Sequence, residues 1–368
     1  MMKFYMPVRI YEGEGCVLAR REEISSFGTK ALIVTGRSSA RKCGALQDVT
    51  EALEKCRKTW CIFSEVEENP STQTIMKARE YGLSEGADFV IGIGGGSPLD
   101  AAKAAAFMMF HRDCQEDRLY DASLSPEALP VIAVPTTCGT GSEVTGVSVL
   151  TRHDKKTKGS IPARIFPKLA LIDGRYLKAA PLSVIASTSL DALAHLMESA
   201  LQKTADDYSC MAVEKGLSIW SGIKDILTGE RKASAEDYAA LMRSAAFGGI
   251  AIAQTGTSIP HALSYPVTYD MGLAHGRAAA YFLPGFLSCA PEEIRSRLLS
   301  LTGFPGIEEF QAYVEKVLGE IAVPQETLER CFEMVKDNSS RMDGCVFPMD
   351  EKSLAGIVYR KKTGNMRY

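Results

Sequence analysis

The chain has 368 residues, more than the roughly 100–200 typical of one domain, so two domains are expected. Hydrophobic residues make up 46% and charged residues 24%, an ordinary globular composition that excludes long disordered stretches. The 42 basic and 45 acidic residues leave a formal charge of −3, which excludes a basic footprint for nucleic acid and a polybasic membrane patch.

In the first half, strands and helices alternate. Lys30–Thr35 reads as a buried strand ended by Gly36, and a helix is expected from about Ser39 to Lys55. Trp60–Phe63 reads as the next strand. Ser71 is placed as the N-cap of a helix running through Tyr81. Ala87–Ile93 is another continuous apolar strand, broken by the glycines 94–96. A helix follows with Ser97 as cap, Pro98 at its first position and Asp100 at its third. Leu129–Val134 is a further strand, stopped at Pro135. Strands separated by helices of this length predict a parallel sheet with helical crossovers.

From about Pro181 helical periodicity takes over, in Ser183–Gln202, Ala205–Leu227 and Ser234–Ala253 and in several later segments. The expected architecture is an α/β domain with a parallel sheet over residues 1–180 and an all-helical domain over 181–368. No run approaches the ~18 apolar residues of a membrane span. Met1–Tyr11 alternates apolar and polar residues where a signal peptide would be apolar, so a cytoplasmic location is expected. Ten cysteines scattered from Cys16 to Cys345 without a CxxC fit reduced, mostly buried thiols.

Two loops carry phosphate-binding chemistry. Gly94-Gly95-Gly96-Ser97 lies after a strand and before a helix, where glycines admit an anion close to the backbone and the helix start offers free N–H groups. It is neither GxGxxG nor a P-loop, and a tight turn alone would also require glycine. Pro135–Thr145 (PTTCGTGSEVT) follows the next strand, so its hydroxyls would line the same sheet edge. Together the two loops favour nucleotide binding.

The metal chemistry sits in the second half. Asp191 and His195 stand four residues apart on one helical face, within reach of a common ion. Taken alone, that pair reads as a satisfied Asp–His contact. His261, where Pro260-His261 opens a segment, and His275, where His275-Gly276 closes a glycine-bearing loop, would complete a ligand set of one carboxylate and three imidazoles with an open position. Glu198, one turn from His195, is a rival ligand. His111 and His153 sit among charged residues and read as surface.

GGGSPLDAAKA, PTTCGTGSEVT, DALAHLMES and HALSYPVTYDMGLAHG occur in the order found in the iron-containing (group III) alcohol dehydrogenases, and the chain resembles that family over essentially its whole length. The FYMP near the start and HALSYP late are similar to the 1,3-propanediol-dehydrogenase-like branch. The resemblance implies the dehydroquinate-synthase-like architecture, with an active site between the two domains. It implies Asp191, His195, His261 and His275 as metal ligands, for Fe²⁺ with Zn²⁺ as the rival ion. It also implies Gly95, Gly96, Ser97 and Asp100 at the pyrophosphate and nicotinamide ribose, Thr136, Thr137 and Thr140 along the nucleotide cleft, and Lys158 near the cofactor. A homodimer through the edge of the N-terminal sheet is the family-based expectation.

Two positions depart from the family pattern. Tyr265 stands where many members carry a second histidine, which removes that histidine as a proton relay. Its first reading is packing, with stacking on nicotinamide or substrate as the alternative. Cys138 replaces a small apolar residue and reads as a buried thiol. The turn Gly36-Arg37-Ser38-Ser39, backed by Arg41 and Lys42, lacks the aspartate that repels a 2′-phosphate, so NADP(H) is expected over NAD(H).

The expected reaction is reversible hydride transfer between NADP(H) and a small primary alcohol, diol or aldehyde. Two alternatives are a zinc-dependent polyol dehydrogenase or sugar-phosphate enzyme of the same fold, and a catalytically silent nucleotide-binding or assembly protein.

Overall fold

In a computed structural model, which describes residues 2–360, the continuous apolar runs of the first half become buried strands. The strands, in chain order, are β1 (Arg9–Glu12), β2 (Lys30–Gly36), β3 (Thr59–Val66), β4 (Phe89–Gly94), β5 (Val131–Pro135), β6 (Val149–Arg152), β7 (Thr157–Ser160) and β8 (Leu169–Ile172). Six form one sheet in the order β1-β8-β5-β4-β2-β3, and every pairing in it is parallel. β6 and β7 form a separate antiparallel pair. Helices cover both faces, so β4 and β5 are buried along their whole length and need no polar alternation.

The register decides where function can sit. Thr35 of β2 pairs with Ile93 of β4, and Gly94 of β4 with Pro135 of β5, so three strands end abreast. The chain moves outward from β2 to β3, then crosses back to β4 and continues to β5 on the other side. That reversal opens a crevice between β2 and β4 at their carboxyl ends, the usual ligand position in an open α/β sheet.

Three expectations need correction. The helix expected over Ser39–Lys55 is two helices, Ser39–Lys42 and Ala45–Lys55, because Gly44 takes a left-handed conformation at φ 86°. The helix after β4 starts earlier than expected, at Gly96 with Gly95 as its cap. Ser97 therefore lies inside the first turn, where its Oγ accepts from the Asn69 N–H at 3.0 Å. The segment read as one helix over Ala205–Leu227 breaks after Ser221. Strands β6 and β7 offer no apolar run, and the apolar four-residue run of β8 is not among the expected strands.

The second half is helical, with Leu182–Ala200 as its central element. Ala235–Thr255, Ile259–Met271 and His275–Ser288 pack around it and share one apolar core with it. Trp220, fully buried on the neighbouring Asp207–Ser221 helix, donates its indole N–H to Ser189 Oγ at 3.0 Å and fixes the central helix. All ten cysteines are free. No described helix is long and apolar enough to cross a membrane.

Candidate active site

A cleft of about 1150 Å³ runs from the carboxyl ends of the sheet strands to the helical half. At the sheet end the two polar loops nest together. A Cβ on Gly95 would lie 2.9 Å from Thr137 Oγ1, and one on Gly96 would lie 2.6 Å from Thr140 Cγ2. The glycines are therefore required by close approach, and they leave a bare backbone surface at a helix N-terminus, which suits a phosphate.

Most residues expected to meet the nucleotide face this cleft. Gly36, Ser39, Gly95, Gly96, Ser97, Asp100, Thr137, Thr140 and Lys158 line it. Thr136 is buried behind the loop, and Arg37 and Ser38 are exposed just past the end of β2. Asp100 is held rigidly: its Oδ1 accepts from Ser142 Oγ at 2.5 Å and its Oδ2 from the Val149 N–H at 2.8 Å.

Sequence reasoning missed the group behind Asp100. Lys103, fully buried, donates to Ser142 Oγ at 2.7 Å and Val147 O at 2.8 Å, with Nζ 3.7 Å from Asp100 Oδ1. Burial lowers the Lys103 ammonium to about 8 in spite of Asp100's pull, and burial raises Asp100 in spite of Lys103. The available signal was one lysine inside an otherwise apolar helical run.

Deeper in the cleft three histidines and a carboxylate converge. Asp191 and His195 come from the Leu182–Ala200 helix, His261 from the first turn of Ile259–Met271, and His275 from the first residue of the next helix. Asp191, His261 and His275 each offer a ligand atom within 4.8 Å of the others. His195 falls outside that group, but its ring stacks on His261 with centroids 4.5 Å apart.

The partners of these rings set their tautomers. Glu198 Oε1 lies 2.5 Å from His261 Nδ1, and its Oε2 accepts from the Ser258 N–H at 2.5 Å. Glu198 is thus placed as a support behind His261 and not as a fourth ligand. Ser264 gives its hydroxyl hydrogen to His261 O at 2.7 Å and lies 3.3 Å from His275 Nδ1, which can donate to it. Both imidazoles then present Nε2 to Asp191, at 3.3 Å from His261 and 3.8 Å from His275. A histidine backed by a carboxylate, as His261 is by Glu198, is a usual support of a metal site.

The donor set fits a metal ion. Asp191 Oδ1, His195 Nδ1 and His261 Nε2 are buried without a hydrogen-bond partner, an arrangement that is costly unless a cation completes it. The 3.3 Å approach of His261 Nε2 to Asp191 Oδ1 sets two acceptors face to face once Nδ1 carries the proton. Burial alone would raise Asp191, but His195, His275 and His261 outweigh it and hold the carboxyl well below its usual range. Burial lowers both His195 and His275, which favours the neutral form that ligates. Burial would also depress His261, yet Glu198 and Asp191 raise it to about 9, so a proton stands in where a cation would sit.

Gly276 permits this convergence. A Cβ there would lie 2.0 Å from Ser187 O and 2.9 Å from Asp191 Cβ. Tyr265 lies over the cluster, its ring stacked on His275 with centroids 6.0 Å apart and Lys158 Nζ 5.8 Å from its centre. Cys138 is fully buried, its thiol pushed up to about 12 chiefly by burial, so it is inert as read.

The fold and site define a metal- and nucleotide-dependent oxidoreductase class, and the comparisons name it. Residues 7–174 match the iron-containing alcohol dehydrogenase family model and 185–334 match its C-terminal counterpart. The chain belongs to the iron-containing alcohol dehydrogenase family. It is 31% identical to a sulfoacetaldehyde reductase of Bilophila wadsworthia over 76% of this chain and 72% of that protein. It is 30% identical to the lactaldehyde reductase of Escherichia coli K12 over 74% of this chain and 71% of that protein. A solved iron-containing alcohol dehydrogenase from Thermotoga maritima superposes with a TM-score of 0.90 at 33% identity, covering 99% of this chain and all (100%) of the other.

Proposed function

We propose that this enzyme transfers a hydride reversibly between NADP(H) and a small primary alcohol, diol or aldehyde. The observation that carries the reading is the Asp191/His261/His275 cluster, with its partnerless buried atoms, in the same cleft as the bare Gly95-Gly96 backbone. Asp191, His261 and His275, with His195 beside them, would hold a divalent ion, ferrous iron by family membership, with zinc the rival. Such an ion supplies Lewis acidity that polarises a carbonyl and acidifies an alcohol, while the nicotinamide carries the hydride.

The protein's share is placement. Glu198 and Ser264 fix the His261 and His275 tautomers, so both Nε2 lone pairs point inward. Asp100, clamped by Ser142 and the Val149 N–H, would meet the pyrophosphate and nicotinamide ribose together with Gly95, Gly96 and Ser97. Tyr265 covers His275 and narrows the space above it, which limits water at the reacting centre. The preference for NADP(H) rests on Arg37, Arg41 and Lys42 near the end of β2, none of which makes an ion pair among the described residues. Our division of labour assigns nucleotide binding to residues 1–180 and metal and substrate binding to 181–368. In relatives, the names sulfoacetaldehyde reductase and lactaldehyde reductase fit a short aldehyde substrate.

The test is NADPH oxidation with a panel of short aldehydes, on protein reconstituted anaerobically with Fe²⁺ or Zn²⁺, beside His261→Ala. The expected result is turnover that needs metal, favours NADPH over NADH and vanishes in the variant. Metal-replete protein that binds nucleotide yet reduces no aldehyde would overturn the substrate class. A preference for NADH would overturn the cofactor assignment alone.

A further inference from the structure

The Leu182–Ala200 helix arranges the cleft along its length. Thr188, near its start, packs against Gly139 of the nucleotide loop, where a Cβ would lie 2.8 Å from Thr188 Cβ. Asp191 and His195 follow in the middle. Gln202, just past its end, lies about 10 Å beyond His195 at 1.5 Å of rise per residue. The far end of the cleft is therefore on the side of the metal cluster opposite the nucleotide loops, where the remainder of a substrate must go.

That far end is polar and cationic. Residues 202–204, 255–257, 340, 341, 343 and 344 line it, with Ile252 the aliphatic exception. The segments are stitched together: the Lys203 N–H donates to Gly344 O at 2.8 Å, and Gln202 bridges Cys345 in antiparallel fashion. Gln202 Nε2 donates to Thr257 O at 2.9 Å, and Arg341 Nη1 donates to the same carbonyl and to Thr257 Oγ1 at 3.2 Å. Arg341 is thereby fixed by one edge of its guanidinium. Its other N–H donors have no protein acceptor among the described residues, and neither Arg341 nor Lys203 makes an ion pair there.

Thr257 adjoins Ser258, whose N–H is bonded to Glu198, which in turn holds His261. The arginine's anchor is thus one hydrogen-bond relay from the metal cluster. Among the described residues lining this end Asp343 is the one carboxylate; it is exposed and pairs with neither cation. Two cations left without counter-ions in a pocket with little apolar lining fit an anionic group far better than an alkyl chain.

We infer that the substrate is a short aldehyde or alcohol whose far end is a carboxylate or sulfonate, held by Arg341 and Lys203. The inference rests on the dehydrogenase reading above and names the substrate class for it. Arg341 offers a planar donor pair to the anion, and Lys203 adds a point charge from the facing segment.

The test compares four-carbon partners that differ in the head group, succinate semialdehyde against butanal, with sulfoacetaldehyde against acetaldehyde as the sulfonate arm. The quantity read is the ratio of kcat/KM within each pair, for the unsubstituted enzyme, Arg341→Gln and Lys203→Met. The expected result is at least a tenfold preference for one anionic member, carried by KM, that falls at least tenfold in Arg341→Gln and severalfold in Lys203→Met. The arm with the larger preference identifies the head group. Lys203→Met covers the case in which loss of the Arg341–Thr257 anchor unfolds that protein, since Lys203 is exposed.

Calorimetric binding of 4-hydroxybutyrate against 1-butanol, without nucleotide, separates this inference from the reading beneath it. If no aldehyde turns over yet 4-hydroxybutyrate binds at least tenfold tighter than 1-butanol, and Arg341→Gln abolishes the difference, the dehydrogenase reading fails and the anion site stands. A preference for butanal and 1-butanol, or ratios unmoved by both substitutions, would overturn the inference.

Discussion

At the scale of single residues, the candidate metal site depends on groups that touch no substrate. Glu198 is fully buried and spends both oxygens on His261 Nδ1 and the Ser258 N–H, so it fixes the ring that carries a ligand lone pair. Removing such a support typically weakens metal affinity by about 10–100-fold. Glu198→Ala is therefore expected to bind Fe²⁺ or Zn²⁺ about 10–100-fold more weakly in a chelator-competition titration, whereas His261→Ala should lose specific binding. Lys158 gives a second test at this scale. Burial lowers its ammonium to about 8, against the pull of Asp191, Asp100 and Glu68. The charged form prevails below that value and disappears as pH rises through it. NADP(H) affinity should then weaken above about pH 8, and Lys158→Met should flatten the profile when dissociation constants are measured from pH 6 to 10.

At the scale of elements, the cluster exists because two helices approach closely at a glycine. Gly276→Ala would drive a methyl group into Ser187 O and the Asp191 side chain. Overpacking of this kind costs about 1–3 kcal/mol, and here the strain falls on His275 and Asp191 first. The expected outcome is a loss of metal affinity much larger than the fall in thermal midpoint, measured on the same preparation. A midpoint that falls while metal affinity is unchanged would mean that the two helices separate without moving the ligands. The nested loops make a parallel case at the other end of the cleft. A side chain on Gly96 collides with Thr140, so Gly96→Val should weaken nucleotide binding by at least tenfold, measured by NADPH fluorescence titration, with metal content unaltered.

At the scale of the whole molecule, the candidate ligands bridge three helices, so an ion bound there would couple their stabilities. Asp191 and His195 lie on the central helix, and His261 and His275 on the two that follow. A ligand present at 100 times its dissociation constant stabilises the folded state by about 2.7 kcal/mol. Metal saturation should raise the thermal midpoint, and chelation should lower it, by an amount that vanishes in His261→Ala. Scanning calorimetry of loaded and chelated protein checks this directly. An equal shift in the variant would place the stabilising ion elsewhere.

The sequence by itself determined what depends on local pattern and on spacing along the chain. Continuous apolar runs specify buried strands, so β2 to β5 and the parallel sheet were readable. Residues 191 and 195 share a helical face by periodicity alone, and glycines after a strand declare a phosphate-type turn. Short strands such as β6 and β7 escape because four partly exposed residues carry too little pattern, and the two-residue error at the Gly96 helix start reflects glycine's indifference to cap position. Only the tertiary structure decided what crosses between distant segments. It placed Glu198 behind His261, set Lys103 beneath Asp100 and Ser142, and joined residues 202–203 to 344–345 so that Arg341 and Lys203 face one pocket. Those groupings follow from packing and hydrogen bonding between elements far apart in the chain, and no local periodicity encodes which side chains will meet there.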